Sequence, residues 1–361
     1  MKEKGLEVLK LLESKGYKSY IVGGYVRDYL LGTESSDIDI STEATPKELL
    51  EIFDEITSNN DKYGSVSIIY KNNKYDITTF RKEIKYESNR TPVKIKYIKD
   101  VKKDLLRRDF TINTFCIDSS GEVLDILNIR KDLDNKIIKT VGNPRYRLKE
   151  DSLRILRAIR FATILNFNID KKTKYYITKY AYLLKKLSYN RKKEELNKIF
   201  TSPNKEVGRS LIIELKLDKS LNLINLKDIV MCDDLIGIWA QLDTNNTYPL
   251  TKIETNHIKK IKELLSKDLD KYNIYKYGLY ISTVVAQIKK IDITKINEIY
   301  GNLPIKSKEE IEINGNDILK LISKERIPQI KEILNDIEYQ IIENKLINNK
   351  EELINYIKTK C

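Results

Sequence analysis

Apolar positions recur along this chain with two different periods, and the changeover falls near residue 144. In the first part, LEVLKLLESKG (from Leu6) spaces its apolar residues as one face of a short helix, closed by Gly16. YKSYIV then reads as a strand, broken by Gly23 and Gly24, and VRDYLLG as a helix ending at Gly32. Asp37-Ile38-Asp39-Ile40 alternates strictly and predicts a strand. Thr45-Pro46-Lys47-Glu48 is a capping box with proline at the first helical position, opening a helix through Phe53. GSVSIIY and KYDITTF, separated by Lys71-Asn72-Asn73, predict a hairpin, and VKIKYI another strand. Beyond Pro144 the 3.6-residue period takes over, predicting helices at 150–165, 173–187, 191–200, 205–216, 257–266 and 315–343. Joints fall at Ser202-Pro203-Asn204 and Asn302-Leu303-Pro304, and GLYISTVVAQI from Gly278 reads as a core helix. The expectation is a mixed α/β or α+β head followed by an all-helical remainder.

Composition narrows the function more than the fold. The 361 residues suggest two to three domains. With 66 Lys and Arg against 53 Asp and Glu, the net charge is +13, which makes an acidic polymer such as nucleic acid the first partner to consider. His257 is the single histidine, which excludes a His-rich metal site and leaves only one residue around which a Ser/His/Asp triad could form. Cys116, Cys232 and Cys361 are widely spaced, so neither a zinc ribbon nor a disulfide framework is supported. Cys116 reads as core and His257 as a helix-start residue. The opening MKEKGLEVLK has no apolar targeting core, and no run approaches about 18 apolar residues, so a soluble cytoplasmic protein is expected.

Three strings carry candidate chemistry. The first is Gly23-Gly24-Tyr25-Val26-Arg27-Asp28 followed by Asp37-Ile38-Asp39. Residues two apart on a strand face the same side, so Asp37 and Asp39 could hold Mg²⁺ at about 2.1 Å while leaving positions for triphosphate oxygens. The glycines bring bare N–H groups to a helix start, and Arg27, one turn in, can reach a phosphate. Without the Gly-Gly turn and the arginine, D-x-D would read as two solvated aspartates. The second string is Glu150-Asp151-Ser152-Leu153-Arg154, continuing to Arg157 and Arg160. On a helix Asp151 and Arg154 are neighbours, and the plain reading is a surface ion pair worth about 0.5 kcal/mol. The sharper reading comes from base chemistry. Cytosine and adenine each present an exocyclic amine beside an unprotonated ring nitrogen; a carboxylate accepts from the first and a guanidinium donates to the second. Guanine and uracil present the opposite pattern. Spacing alone leaves both readings open. The third string is Arg107-Arg108-Asp109-Phe110-Thr111-Ile112-Asn113, where Arg108 could bind phosphate or ribose and Asp109 a ribose hydroxyl; a structural Arg–Asp pair reads equally. Asp76 is a candidate third metal carboxylate or a strand-edge charge. Lys171-Lys172, Lys185-Lys186 and Arg191-Lys192-Lys193 suggest a track for RNA phosphates.

These strings, in order, resemble the class II tRNA nucleotidyltransferases, the CCA-adding enzymes, and their bacterial poly(A) polymerase relatives. The matching motifs are GGYVRDYLLG…SDIDIST, TTFRKE, DLLRRDFTIN, PRYRLKEDSLRILRAIRF and, more loosely, SYNRKKEELNKIF, with LPIKSKEEIEINGNDIL near the C-terminus. Residues of about 205–300 match poorly. The resemblance implies an α+β fold: a polymerase-β-like nucleotidyltransferase head with a mixed β-sheet, then an all-α neck, body and tail in a seahorse-like order. The corresponding divisions are 1–140 for the catalytic head, 141–200 for a base-recognising neck, 201–300 for the body and 301–361 for a tRNA-binding tail. It further implies that Asp37 and Asp39 bind catalytic Mg²⁺. Gly23, Gly24 and Arg27 would contact the triphosphate, and Arg108 and Asp109 the nucleotide. Asp151 and Arg154 would form an amino-acid template for C and A, with Arg157 and Arg160 lining the same pocket. Arg81 to Asp104 would be the flexible loop of the switch from C to A addition. Asp125-Ile126-Leu127-Asn128-Ile129 and Arg90-Thr91-Pro92 depart from the family pattern, and the histidines for an appended HD phosphohydrolase domain are lacking.

The expected activity is addition of C, C and A to tRNA 3′ ends from CTP and ATP, with Mg²⁺ as cofactor and no membrane partner, by a monomer or homodimer. An A-adding enzyme of a split pathway and a poly(A) polymerase remain as alternatives within the class. A catalytically dead tRNA-binding protein remains outside it.

Overall fold

A seven-stranded mixed sheet carries the N-terminal part of the chain. The computed structural model describes residues 1–35, 37–60, 63–87, 91–322 and 329–360, without the side chains of 84–94. In chain order the head contains α1 (Lys2–Ser14), β1 (Ser19–Val22), α2 (Gly24–Leu30), β2 (Asp39–Thr42), α3 (Pro46–Ile52), β3 (Ile56–Asn60), β4 (Ser65–Tyr70) and β5 (Asn73–Thr79). There follow β6 (Arg81–Glu87), β7 (Thr91–Tyr97), α4 (Val101–Leu106), β8 (Cys116–Ile117), β9 (Val123–Leu124), α5 (Arg130–Asp134) and β10 (Ile137–Ile138). The sheet order is β3-β4-β5-β2-β1-β8-β9, antiparallel throughout except for the parallel pair β2/β5. Register sets Asp39 beside Asp76 and, on the other side, beside Val22. Thr45 caps α3 with both bonds of the capping box. The β4–β5 turn is tighter than expected: Lys71 and Asn72 alone form it, both at positive φ, and Asn73 already belongs to β5. β6 and β7 form a separate hairpin, followed by α4, over the segment expected as a loop. Arg90, one of the departures noted above, lies outside the described residues.

Helices α6 (Pro144–Glu150), α7 (Leu153–Leu165), α8 (Lys171–Lys179), α9 (Tyr189–Phe200), α10 (Lys205–Glu214) and α11 (Asp218–Leu221) continue the same compact unit, which comprises residues 1–227 and 244–248. A two-stranded parallel ribbon joins β10 to β11 (Asn168–Ile169), tying the end of α7 to the head. Two expected helices are divided. Residues 150–165 begin only at Leu153, because Asp151 and Ser152 break the chain between α6 and α7. The 173–187 stretch splits at Tyr180 into α8 and a 3₁₀ segment, Ala181–Lys186. Lys192, expected on a phosphate track, is 1% exposed, with Nζ 4.1 Å from the Tyr189 ring centre, because its position on α9 faces the core.

The second unit, 228–243 with 249–361, is helical: α12 (Leu235–Gln241), α13 (Lys252–Leu265), α14 (Lys271–Lys289), α15 (Ile293–Gly301), α16 (Gly315–Leu319), α17 (Ile330–Ile342) and α18 (Lys350–Lys360). One of its cores gathers Leu303, Ile305, Ile313, Ile318, Ile337, Ile341, Ile342, Leu353 and Ile357. His257 lies within α13, not at its start, since the capping box Thr251/Glu254 begins that helix five residues earlier than the apolar period suggested. The core helix expected from Gly278 is the second half of α14, which kinks at that residue. The stretch 315–343 comprises α16 and α17, with 323–328 outside the described residues. Among the described residues no helix is long and apolar enough to cross a membrane.

Close helix packing fixes α7, the helix that carries most of the candidate arginines. Gly208 on α10 lies against Ile199 of α9 and Thr163 of α7, and a Cβ there would sit 2.7 Å from Thr163 Oγ1. Gly208→Ala is therefore expected to destabilise the protein by about 1–3 kcal/mol in urea denaturation. An unchanged midpoint would show that the three helices separate without cost.

Candidate active site

A cavity of about 660 Å³ opens beside the central strands β1 and β2. It is lined by eleven of the twelve candidate site residues, all but Asp76: Gly23, Gly24, Arg27, Asp37, Asp39, Arg108, Asp109, Asp151, Arg154, Arg157 and Arg160. Seven arginines and Lys198 face five carboxylates there, so the wall is net positive and suited to a polyanion.

The carboxylate end is built by local backbone. Gly23 has φ 78°, ψ −137°, and a Cβ on it would lie 3.2 Å from Asp39 Oδ2 and 3.6 Å from Arg108 Nη1. Glycine thus provides the turn into α2 and keeps the space beside Asp39 open. Asp39 begins β2, whereas Asp37 lies just ahead of the strand; both still line the cavity. Burial raises the Asp39 carboxyl pKa; Arg108 opposes this, while Asp76 and Asp37 add to it. Asp76 accepts a 2.5 Å hydrogen bond from Ser67 Oγ and does not line the cavity. Among the described residues no three His, Cys, Asp or Glu side chains gather as a preformed cage. The donor set is two hard carboxylates with space beside them, which suits a cation such as Mg²⁺ that keeps water or phosphate ligands.

The opposite wall is a hydrogen-bonded chain of charges. Asp109 Oδ2 accepts from Arg157 Nε at 2.7 Å, and Oδ1 accepts from the Phe110 N–H at 2.8 Å and Asn113 Nδ2 at 3.1 Å. Asn113 Oδ1 in turn accepts from Arg27 Nη1 at 2.9 Å, and Arg27 pairs with Asp28 at 2.7 Å. Burial alone would raise the Asp109 carboxyl, but Arg157, Asn113 and the Phe110 N–H outweigh it and hold the group well below the usual carboxylate range. Both carboxylate oxygens are thereby engaged by protein donors. Arg108 donates to Ser41 Oγ at 2.9 Å and pairs with the fully buried Asp104 at 3.5 Å. Arg160 pairs with Glu195 of α9 at 3.2 Å.

Asp151 and Arg154 are neighbours, though not on one helix. Asp151 ends α6 in an extended conformation, and its carboxylate accepts from the Leu153 N–H at 3.0 Å, opening α7. Arg154 is 5% exposed, so the plain surface-pair reading does not apply. Its guanidinium donates to the Arg147 carbonyl at 2.9 Å and to Glu150 at 3.2 Å. Arg147, bonded to Glu150 and to the carbonyls of Arg107 and Arg108, fastens α6 to the third string. Cys116, fully buried, has its thiol pushed up to about 12 by burial and is inert core.

Sequence reasoning missed Asn113, Phe161, Glu195 and Lys198. Each lies inside a quoted string, but only the fold shows that Asn113 bridges Asp109 to Arg27, or that α9 delivers Glu195 to Arg160 and Lys198 to the cavity wall.

Comparison with known proteins agrees with this architecture. Residues 19–139 match the "Poly A polymerase head domain", 166–222 the "Probable RNA and SrmB-binding site of polymerase A", and 249–357 the "tRNA nucleotidyltransferase domain 2" family. The CCA-adding enzymes of Geobacillus sp. and Staphylococcus haemolyticus are each 33% identical, over 97% of this chain and 95% and 96% of theirs. The crystal structure of the Bacillus stearothermophilus CCA-adding enzyme in complex with CTP superposes with a TM-score of 0.89 at 25% identity, covering 99% of this chain and 97% of that one. The Thermotoga maritima enzyme complexed with tRNA shares the fold, with a TM-score of 0.71 at 22% identity over 98% of this chain and 94% of that one. An α+β head with a helical remainder and this ordered set of strings define an RNA nucleotidyltransferase. The chain belongs to the family of CCA-adding enzymes, the class II tRNA nucleotidyltransferases.

Asp109→Asn leaves Arg157 without its anionic partner and is expected to cost about 1–3 kcal/mol at pH 7. Because the Asp109 pKa is depressed in the fold, its stabilisation is fully present above the unfolded value of about 4 and is lost as pH falls through the folded value. Urea denaturation should therefore show the gap between wild type and Asp109→Asn narrowing in acid; a gap independent of pH would contradict the assignment.

Proposed function

We propose that the cavity binds CTP and ATP in turn and transfers their nucleotidyl groups to a tRNA 3′ end, with Mg²⁺ held at Asp37 and Asp39. The observation that carries this reading is the convergence of two carboxylates, a Gly-Gly turn and a net positive arginine wall on one cavity. Bound Mg²⁺ would lower the pKa of the attacking hydroxyl and neutralise the triphosphate. The tRNA 3′-hydroxyl oxygen attacks the α-phosphorus, the bond to the bridging oxygen breaks, and pyrophosphate leaves. Gly24 N–H at the start of α2 and Arg27 hold the triphosphate, and Arg108 neutralises charge beside it. Asp109 serves first by fixing Arg157 and Asn113; a ribose hydroxyl can add to its oxygens without displacing them.

Selection falls to Asp151 and Arg154. The carboxylate accepts from the exocyclic amine of cytosine or adenine, and the guanidinium donates to the adjacent ring nitrogen. Guanine and uracil present a carbonyl to the carboxylate and a ring N–H to the guanidinium, leaving both poorly paired. Arg157 and Arg160 complete the pocket. We assign residues 1–140 to catalysis, 141–200 to base recognition, 201–300 to the body and 301–361 to tRNA contact. Acting on tRNA, the enzyme is placed in the cytoplasm, as a monomer or homodimer.

Asp37→Ala and Asp39→Ala should each lower CTP and ATP incorporation at least 1,000-fold, about 4 kcal/mol of transition-state stabilisation, while gel-shift affinity for tRNA holds. Normal turnover by either variant would remove the metal assignment. Asp151→Ala should raise incorporation of GTP and UTP relative to CTP and ATP by at least tenfold. Unchanged discrimination would refute the selection mechanism.

A further inference from the structure

Three guanidinium groups share one aromatic ring in the cavity wall. The Cζ atoms of Arg27, Arg157 and Arg160 lie 5.2, 5.2 and 4.5 Å from the centre of the Phe161 ring, which lines the cavity and is 7% exposed. Three positive charges so close repel one another. Each has one carboxylate beside it: Asp28 for Arg27 at 2.7 Å, Asp109 for Arg157 at 2.5 Å and Glu195 for Arg160 at 3.2 Å.

A carboxylate stabilises a guanidinium by occupying its N–H groups, the same groups a phosphate needs. An aromatic face stabilises it through the ring quadrupole and occupies none of them. The ring therefore adds attraction that does not compete with an anionic ligand. Arg160 Nε is buried without a hydrogen-bond partner among the described residues, whereas Arg27 Nε and Arg157 Nε donate to Asp28 and Asp109. The ring is itself held. Phe110, fully buried, meets it edge-on, with centroids 5.8 Å apart and planes at 78°. The short run from Asp109 to Asn113 thus fixes the whole group, Asp109 holding Arg157, Phe110 holding Phe161 and Asn113 holding Arg27.

Building on the nucleotide-binding reading of the cavity, we infer that Phe161 is a positioning residue for the nucleotide's phosphates. Its ring gathers Arg27, Arg157 and Arg160 into one anion pocket without taking any of the in-plane N–H groups that Asp28, Asn113, Asp109 and Glu195 leave over.

The test replaces Phe161 in the full-length protein with mono-, di- and trifluorinated phenylalanine, which keep its shape and progressively drain its quadrupole. Dissociation constants are read for CTP, ATP and inorganic tripolyphosphate. Affinity for all three should fall stepwise with fluorine number, by roughly 10- to 100-fold over the series. KM should rise with kcat nearly constant, a split that a ring serving only to fill space would not produce. Phe161→Leu should bind as weakly as the trifluorinated form, and Phe161→Tyr, which keeps the face, should restore binding. A flat series would overturn the proposal. Arg27→Ala and Arg157→Ala in the same assay separate the two readings. If they weaken binding while the series is flat, only the role of the ring fails; if they too bind normally, the nucleotide assignment of the cavity fails with it.

Discussion

Seven arginines cannot be held around one cavity unless something bears their mutual repulsion, and the Asp109 carboxylate meets that constraint for Arg157 directly and for Arg27 through Asn113. It is nearly enclosed by protein, yet three donors from one short segment and from α7 keep it ionised far below the usual range. Through Asn113 the same carboxylate reaches Arg27 on the opposite element, so α2 and α7 are cross-braced by a single acidic group. Replacing it removes one charge and loosens two arginines, which is why its effect on stability carries a pH signature.

The rest of the cavity divides into two electrostatic ends. At one, Asp37 and Asp39 lie beside a backbone without side chain, and burial has made Asp39 costly to ionise on its own; a cation relieves that cost. At the other, guanidinium groups are partly neutralised and partly left with unused donors. A nucleoside triphosphate with its metal is complementary to both ends together, whereas a bare cation or a bare base matches one. A histidine base is not required by this arrangement, in keeping with a single histidine, His257 of α13, that does not line the cavity.

Much of this was legible in the sequence because the head's elements carry strong local signals. Thr45-Pro46-Lys47-Glu48 dictates its helix start, and the alternation around Asp39 dictates its strand. What stayed hidden depends on tertiary contacts or on competing local chemistry. Asp151 ends α6 instead of continuing a helix, because its carboxylate accepts the Leu153 N–H, local bonding that competes with a helix interior. Lys192 read as part of a track for RNA phosphates, but α9 turns it toward the core. Gly278, read as the start of a core helix, instead lies at a kink inside α14, where its positive φ needs no Cβ. Asn113 and Phe161 carry no motif of their own, and their part emerges only when the strand-side string and α7 are brought face to face.

The central claim is that amino-acid side chains in this cavity, without a nucleic-acid template, choose the nucleotide and stop the reaction. The most direct test is incorporation with Mg²⁺ on two tRNA transcripts, one ending at the discriminator base and one ending in CC, offered CTP, ATP, GTP and UTP singly and in pairs. The account predicts CCA on the first, a single A on the second, then arrest, with no use of GTP or UTP. Addition of A to the CC-ended transcript with no extension of the other, a long A tail, or tRNA binding without incorporation would contradict it.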